Sequence, residues 1–110
     1  MLDTFLQDCS SVTVREEHIR DRHFDDISPT NSYFMVEPAL IFAAIYNVLD
    51  FCITPVAVRK EGPHKLMVWI DLGTPVGLYR KWNVTTSRLA IVITKWNGLA
   101  TVRTCYPDGV

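Results

Sequence analysis

The dipeptide Asn97-Gly98 lies between two runs of β-forming residues, 88–95 and 99–106, and it constrains the chain more than any other feature. A two-residue hairpin loop of type I′ needs positive φ at both central positions, and Asn-Gly meets that need at least steric cost. With these two residues as the loop, Trp96 pairs with Leu99, and unbroken pairing sets Thr104 opposite Ile91 and Tyr106 opposite Leu89. Leu89, Ile91 and Ile93 then share one side with Ala100, Val102, Thr104 and Tyr106. That side is expected to pack on helices.

β-branched and aromatic residues bounded by Gly and Pro begin at Ile53, so strands are expected at about 53–59, 65–71, 76–82, 88–95 and 99–106. The part before Ile53 reads differently. Thr13-Val14-Arg15-Glu16 has the form of a capping box and predicts a helix over about 14–24. Ser28-Pro29-Thr30-Asn31-Ser32 breaks it, and Glu37-Pro38 restarts with proline suited to a first helical position. Leu40, Ile41, Ala44, Ile45, Val48 and Leu49 recur at helical spacing and predict a buried second helix over about 38–50. Helices followed by strands define an α+β class, with the N-terminal helices packed on a twisted antiparallel sheet and a cleft between them.

A length of 110 residues fits one domain, 1–110, and 48% apolar with 21% charged residues is ordinary globular usage. A net charge of −1 excludes broad, sequence-independent grip on a phosphate backbone, so any nucleic-acid contact has to be local. Cys9, Cys52 and Cys105 lack C-x-x-C spacing and read as reduced. No basic stretch followed by an apolar run marks a secretory leader, and no apolar run of about twenty residues offers a bilayer span. The chain also fits a piece excised from something longer.

Glu17-His18-Ile19-Arg20-Asp21-Arg22-His23 carries the chemistry. His18 and Arg22 are one turn apart on one helix face, and His23 sits about 140° round from His18. Two imidazoles and a cation suffice, in principle, to cut RNA without metal. One imidazole takes the 2′-hydroxyl proton, the other protonates the leaving 5′-oxygen, and cationic donors hold the charge on phosphorus. The plainer alternative is that the histidines decorate a solvated helix. A metal reading is weaker, because His18, Asp21 and His23 lack the i, i+4 pairing of helical zinc ligands and Asp25-Asp26 serves equally to cap or solvate. Asn83-Val84-Thr85-Thr86-Ser87-Arg88 offers hydroxyls and a guanidinium to orient a phosphate, or is simply a Thr/Ser-rich turn. Tyr79, Lys81 and Trp82 offer a stacking platform with a cation, or half-buried strand packing.

Taken in order, His18-Ile19 with Arg22-His23, Ser32-Tyr33-Phe34, the helix from Glu37 to Asp50, Asp71-Leu72-Gly73 with Gly77, Thr85-Thr86 with Arg88, and Thr104-Cys105-Tyr106-Pro107 resemble the barnase–EndoU–colicin–RelE superfamily of metal-independent ribonucleases. The likeness is to the toxin tips of contact-dependent growth inhibition systems and covers most of the chain. It implies that His18 and His23 are the acid and base, Arg22 a phosphate clamp, and Thr86, Thr104 and Tyr106 active-site hydroxyls. Arg20, Tyr33, Thr85 and Arg88 would bind substrate, with no metal and no cofactor. Many relatives carry Lys where this chain has Tyr33, which leaves Arg20, Arg22 or Arg88 to neutralise the phosphorane. The resemblance further implies RNA, in particular tRNA, as substrate, a cognate immunity protein as partner, and delivery within a larger secreted, cell-surface polypeptide that acts in the target-cell cytoplasm. Two other readings stand beside it: a non-catalytic protein-interaction module, and a metal-dependent nuclease.

Overall fold

A computed structural model describes residues 1–25 and 30–109; the break read at Ser28-Pro29 and the carboxylate of Asp26 lie outside the described residues. The elements run α1 (Leu2–Leu6), β1 (Ser11–Val14), α2 (Glu16–His23), β2 (Tyr33–Phe34), α3 (Pro38–Leu49), β3 (Ala57–Lys60), β4 (Lys65–Asp71), β5 (Gly77–Tyr79), β6 (Val84–Thr86), β7 (Arg88–Trp96) and β8 (Leu99–Pro107). Among the described residues the strands form a five-stranded sheet ordered β1-β8-β7-β4-β3 and a three-stranded sheet ordered β2-β5-β6. The architecture is α+β.

The β7–β8 hairpin turns where the sequence places it. Asn97 and Gly98 have φ of 51° and 76°, and Trp96 pairs with Leu99. The rest of its register differs from the expectation. Pairing shifts between Val92 and Ile93, so that Ile93 faces Val102 while Val92 faces Thr104, leaving Arg103 as the extra residue of a β-bulge. Thr104 therefore does not face Ile91, nor Tyr106 Leu89; the partners are Val92 and Ala90. A one-residue slip exchanges the two faces of everything beyond it. Cys105 and Pro107 enter the core side in place of Thr104 and Tyr106, whose hydroxyls would otherwise need partners among Leu89, Ile91 and Ile93.

The capping box does not form. Thr13 belongs to β1, which pairs parallel with β8 (Thr13 with Thr101, Val14 with Val102), so the sheet is mixed rather than antiparallel. α2 begins at Glu16 after Arg15, with no side-chain cap among the described residues, and the Glu16 carboxylate accepts from the Tyr46 hydroxyl at 3.0 Å instead. Backbone pairing of 11–14 with β8 satisfies more groups than a single N-terminal cap. β3 starts later than 53 because Pro55 has no N–H to give, and the first bond to β4 comes from Val56 N–H to Trp69 O at 2.8 Å. The run expected at 76–82 ends at Tyr79, turns through Asn83 at φ 52°, and returns as β6. α3 matches its expected span, opening on Pro38.

Ile41, Phe42, Ala44, Ile45 and Val48 of α3 form one buried cluster with Leu66, Val68 and Ile70 of β4, Leu89, Ile91 and Ile93 of β7, and Ala100, Val102 and Cys105 of β8. Leu2 and Phe5 of α1 and Ile19 of α2 complete it. The helix-facing side of the sheet is thus filled with apolar side chains, and it does not form the expected cleft. Polar and aromatic residues of the alternate phase, Trp69, Arg88, Thr94, Trp96, Thr101, Thr104 and Tyr106, share the opposite side.

Candidate active site

β1 pairs with β8 only as far as Val102, and the Arg15 N–H adds a last bond to Val102 O at 3.1 Å. From there the chain turns into α2, which runs beside the second half of β8. The five helical steps from His18 to His23 rise about 7.5 Å. The three strand steps from Arg103 to Tyr106 rise about 10 Å. α2 therefore runs along this half of β8, with the His23 ring against Tyr106 and the charge of Arg103 felt at His18.

The His23 and Tyr106 rings lie 5.8 Å apart, centroid to centroid, at 39°. His23 Nδ1 is 2.9 Å from the carbonyl oxygen of Ser32, which can only accept, so Nδ1 carries a hydrogen. Ser32 also holds the neighbouring loop, its hydroxyl accepting from Arg80 N–H at 2.9 Å. The Ser-x-Phe step thus acts through a backbone carbonyl. Its Tyr33 lies under the Arg80 guanidinium, 5.5 Å from the ring centre. Burial raises the proton affinity of the Tyr106 phenol, and the carboxylate of Asp108 adds to the effect. Tyr106 therefore stays protonated at neutral pH and is a hydrogen-bond donor.

His18 is held below the ordinary imidazole range, first by burial, then by the guanidiniums of Arg15 and Arg22, with a smaller push from Arg103 against the opposing Asp21. Among the described residues, Arg15, Arg22 and Arg103 form no ion pair. Their charge stands open beside His18. Arg15 and Arg103 were not among the expected site residues. A signal for Arg103 exists in the sequence: the small and apolar residues Ala100, Val102, Cys105 and Pro107 change phase at position 103.

Other expected residues lie elsewhere or are engaged. The Arg20 guanidinium rests over the Phe42 ring at 5.2 Å, on the α3 side of α2. Thr86 Oγ1 donates to Asp108 O at 3.3 Å and accepts from Arg88 N–H at 3.1 Å, so it fastens the chain end to the start of β7. Thr85 is exposed on β6. The Thr104 hydroxyl and Arg88 Nε are both buried with no hydrogen-bond partner among the described residues. Tyr79 and Trp82 meet edge to face at 5.4 Å, with Trp82 exposed. Asp108, nearly buried, accepts from Trp69 Nε1–H at 2.8 Å across the sheet. The sequence reading did not name Asp108 among the site residues.

Cys9, Cys52 and Cys105 are free thiols. Among the described residues, no group of three or more His, Cys, Asp or Glu side chains is arranged to hold a metal ion, and no helix is long and apolar enough to cross a membrane. Comparison with protein-family models, with curated proteins and with solved structures returns no match to the chain.

Proposed function

We propose that this chain is a metal-independent ribonuclease acting by general acid–base catalysis. The observation that carries the reading is the alignment of α2 with β8, which sets one histidine among three guanidiniums and the other against a protonated tyrosine. Lowered proton affinity keeps His18 neutral near pH 7, suited to take the 2′-hydroxyl proton. The 2′-oxygen then attacks phosphorus, and the P–O5′ bond breaks as protonated His23 gives its Nε2 proton to the leaving oxygen. The products are a 2′,3′-cyclic phosphate and a free 5′-hydroxyl. Arg22 and the Tyr106 hydroxyl stabilise the developing charge on the phosphoryl oxygens. Thr104, sealed from solvent, and Thr86, tied to Asp108 O, support the site without touching substrate.

More narrowly, the reading is a toxin tip of the barnase–EndoU–colicin–RelE type that cuts tRNA, is delivered within a larger secreted polypeptide and is blocked by an immunity protein. Support for this step is the ordered motif set in the sequence, together with N-terminal helices preceding a sheet whose last strand ends in Tyr106-Pro107. A net charge of −1 accords with recognition of a folded RNA at a few local points. Incubation of the purified chain with bulk tRNA in EDTA tests the proposal. Discrete cleavage, lost in a His18→Ala/His23→Ala double variant, supports it. Intact tRNA, or cutting that the double variant retains, overturns it.

A further inference from the structure

The polar side of the sheet continues past the histidines toward the Asn97-Gly98 turn. There, Thr94, Lys95, Trp96, Leu99, Thr101 and Arg103 line an open cleft of about 370 Å³. Trp96 is 65% exposed, an unusual placement for the largest apolar side chain. It is nonetheless positioned: the His64 ring meets it edge-on at 4.9 Å between centroids, and Leu99 is its cross-strand partner. Thr94 and Thr101 face each other across β7 and β8 and line the floor with hydroxyls. Of the cations at the cleft, Lys95 is neutralised by Asp8 at 3.2 Å and also donates to Phe5 O at 2.9 Å. Arg103 forms no ion pair among the described residues.

Arg103 is also the bulge residue. Because it interrupts the alternation, it lines this cleft and lies near enough to His18 to affect its proton affinity. One side chain thus lines the cleft and bears electrostatically on His18. A propped indole, a hydroxyl floor and an unpaired guanidinium are the elements that single-stranded nucleic acid uses: a π-face for a base, donors for sugar or base edges, and a cation for phosphate. From Thr101 to Tyr106 the strand spans about 17 Å, a length of a few nucleotides.

We propose that the Trp96 cleft is a binding subsite for an unpaired nucleotide flanking the scissile bond, with the base stacked on Trp96 and the intervening phosphate held by Arg103. It rests on the ribonuclease reading for the identity of the strand. Occupancy by a protein side chain instead of a base is the competing outcome. The cleft would then be indifferent to nucleic acid.

An unstructured oligodeoxynucleotide of about eight residues separates binding from cleavage, because it lacks the attacking 2′-hydroxyl. Fluorescence anisotropy with this labelled strand and the full chain gives the affinity. Trp96→Ala is expected to weaken binding about tenfold or more, and Trp96→Phe to recover most of it. Arg103→Gln is expected to lower the salt slope by about one counterion. Equal affinity of Trp96→Ala and the unsubstituted chain, or no binding of the oligonucleotide, overturns the subsite. Binding that depends on Trp96 without any cleavage of RNA retains the subsite and removes the nuclease. Cleavage of RNA with affinity and KM indifferent to Trp96 does the reverse.

Discussion

Replacing Thr104 by Val tests the bulge and the sealed hydroxyl together. Thr104 Oγ1 is buried with no hydrogen-bond partner among the described residues. A buried unsatisfied hydroxyl costs about 1–3 kcal/mol relative to its solvated state. Valine keeps the β-branched shape that a strand favours and removes the polar atom, so the gain should lie near the low end, about 1 kcal/mol. For a domain of this size that raises the unfolding midpoint by about 4 °C. Circular dichroism melts of the two chains measure it. Cleavage of RNA should stay within a few-fold, because the hydroxyl does not reach solvent. A lower midpoint would show that the hydroxyl is bonded. The unbulged register would put Thr104 among Leu89, Ile91 and Ile93, where the same substitution also stabilises. The control is therefore Cys105→Ser. It buries a new hydroxyl in the core, and about 1–3 kcal/mol of destabilisation is expected only if Cys105 occupies the place that the bulge gives it.

The pH dependence of cleavage has a defined sign. Burial and the arginines disfavour the His18 imidazolium, so the acidic limb of kcat/KM against pH should fall below the ordinary imidazole value of 6.5, and Arg103→Gln should move it upward. A limb at or above 6.5 in the unsubstituted chain contradicts the arginine cluster. Gly77→Ala should destabilise the chain by about 1–3 kcal/mol in urea titration, because the added Cβ would stand 2.5 Å from both Pro107 Cγ and Tyr33 O. An unchanged midpoint would mean that β5 does not pack against the end of β8 as described.

The sequence was most legible where local chemistry decides. Asn97-Gly98 fixes its turn because few other pairs accept two positive φ values, and Pro38 with the periodicity after it fixes α3. It was least legible where distant backbone decides. Ser11–Val14 looks like the approach to a capped helix, and only β8, far along the chain, makes it a parallel edge strand. The bulge at Arg103 was present as a change of phase in the apolar residues of 100–107, but counting from the turn assumes that no residue is skipped. Through that one residue the sequence reading assigned Thr104 and Tyr106 to the wrong face. His18, His23 and Tyr106 were legible as chemistry. Arg103 was not, because its proximity to His18 arises only when α2 lies along β8; Arg15, three residues before His18, read instead as part of a capping box.

The ends left on cut RNA test the central claim most directly. Mass spectrometry of a defined tRNA treated with the chain in EDTA should find 2′,3′-cyclic phosphate and 5′-hydroxyl termini. Single-turnover rates of His18→Ala and His23→Ala should each fall about 10²–10⁴-fold. Termini bearing 5′-phosphate, dependence on added divalent metal, or full-rate cutting by either variant would contradict the account.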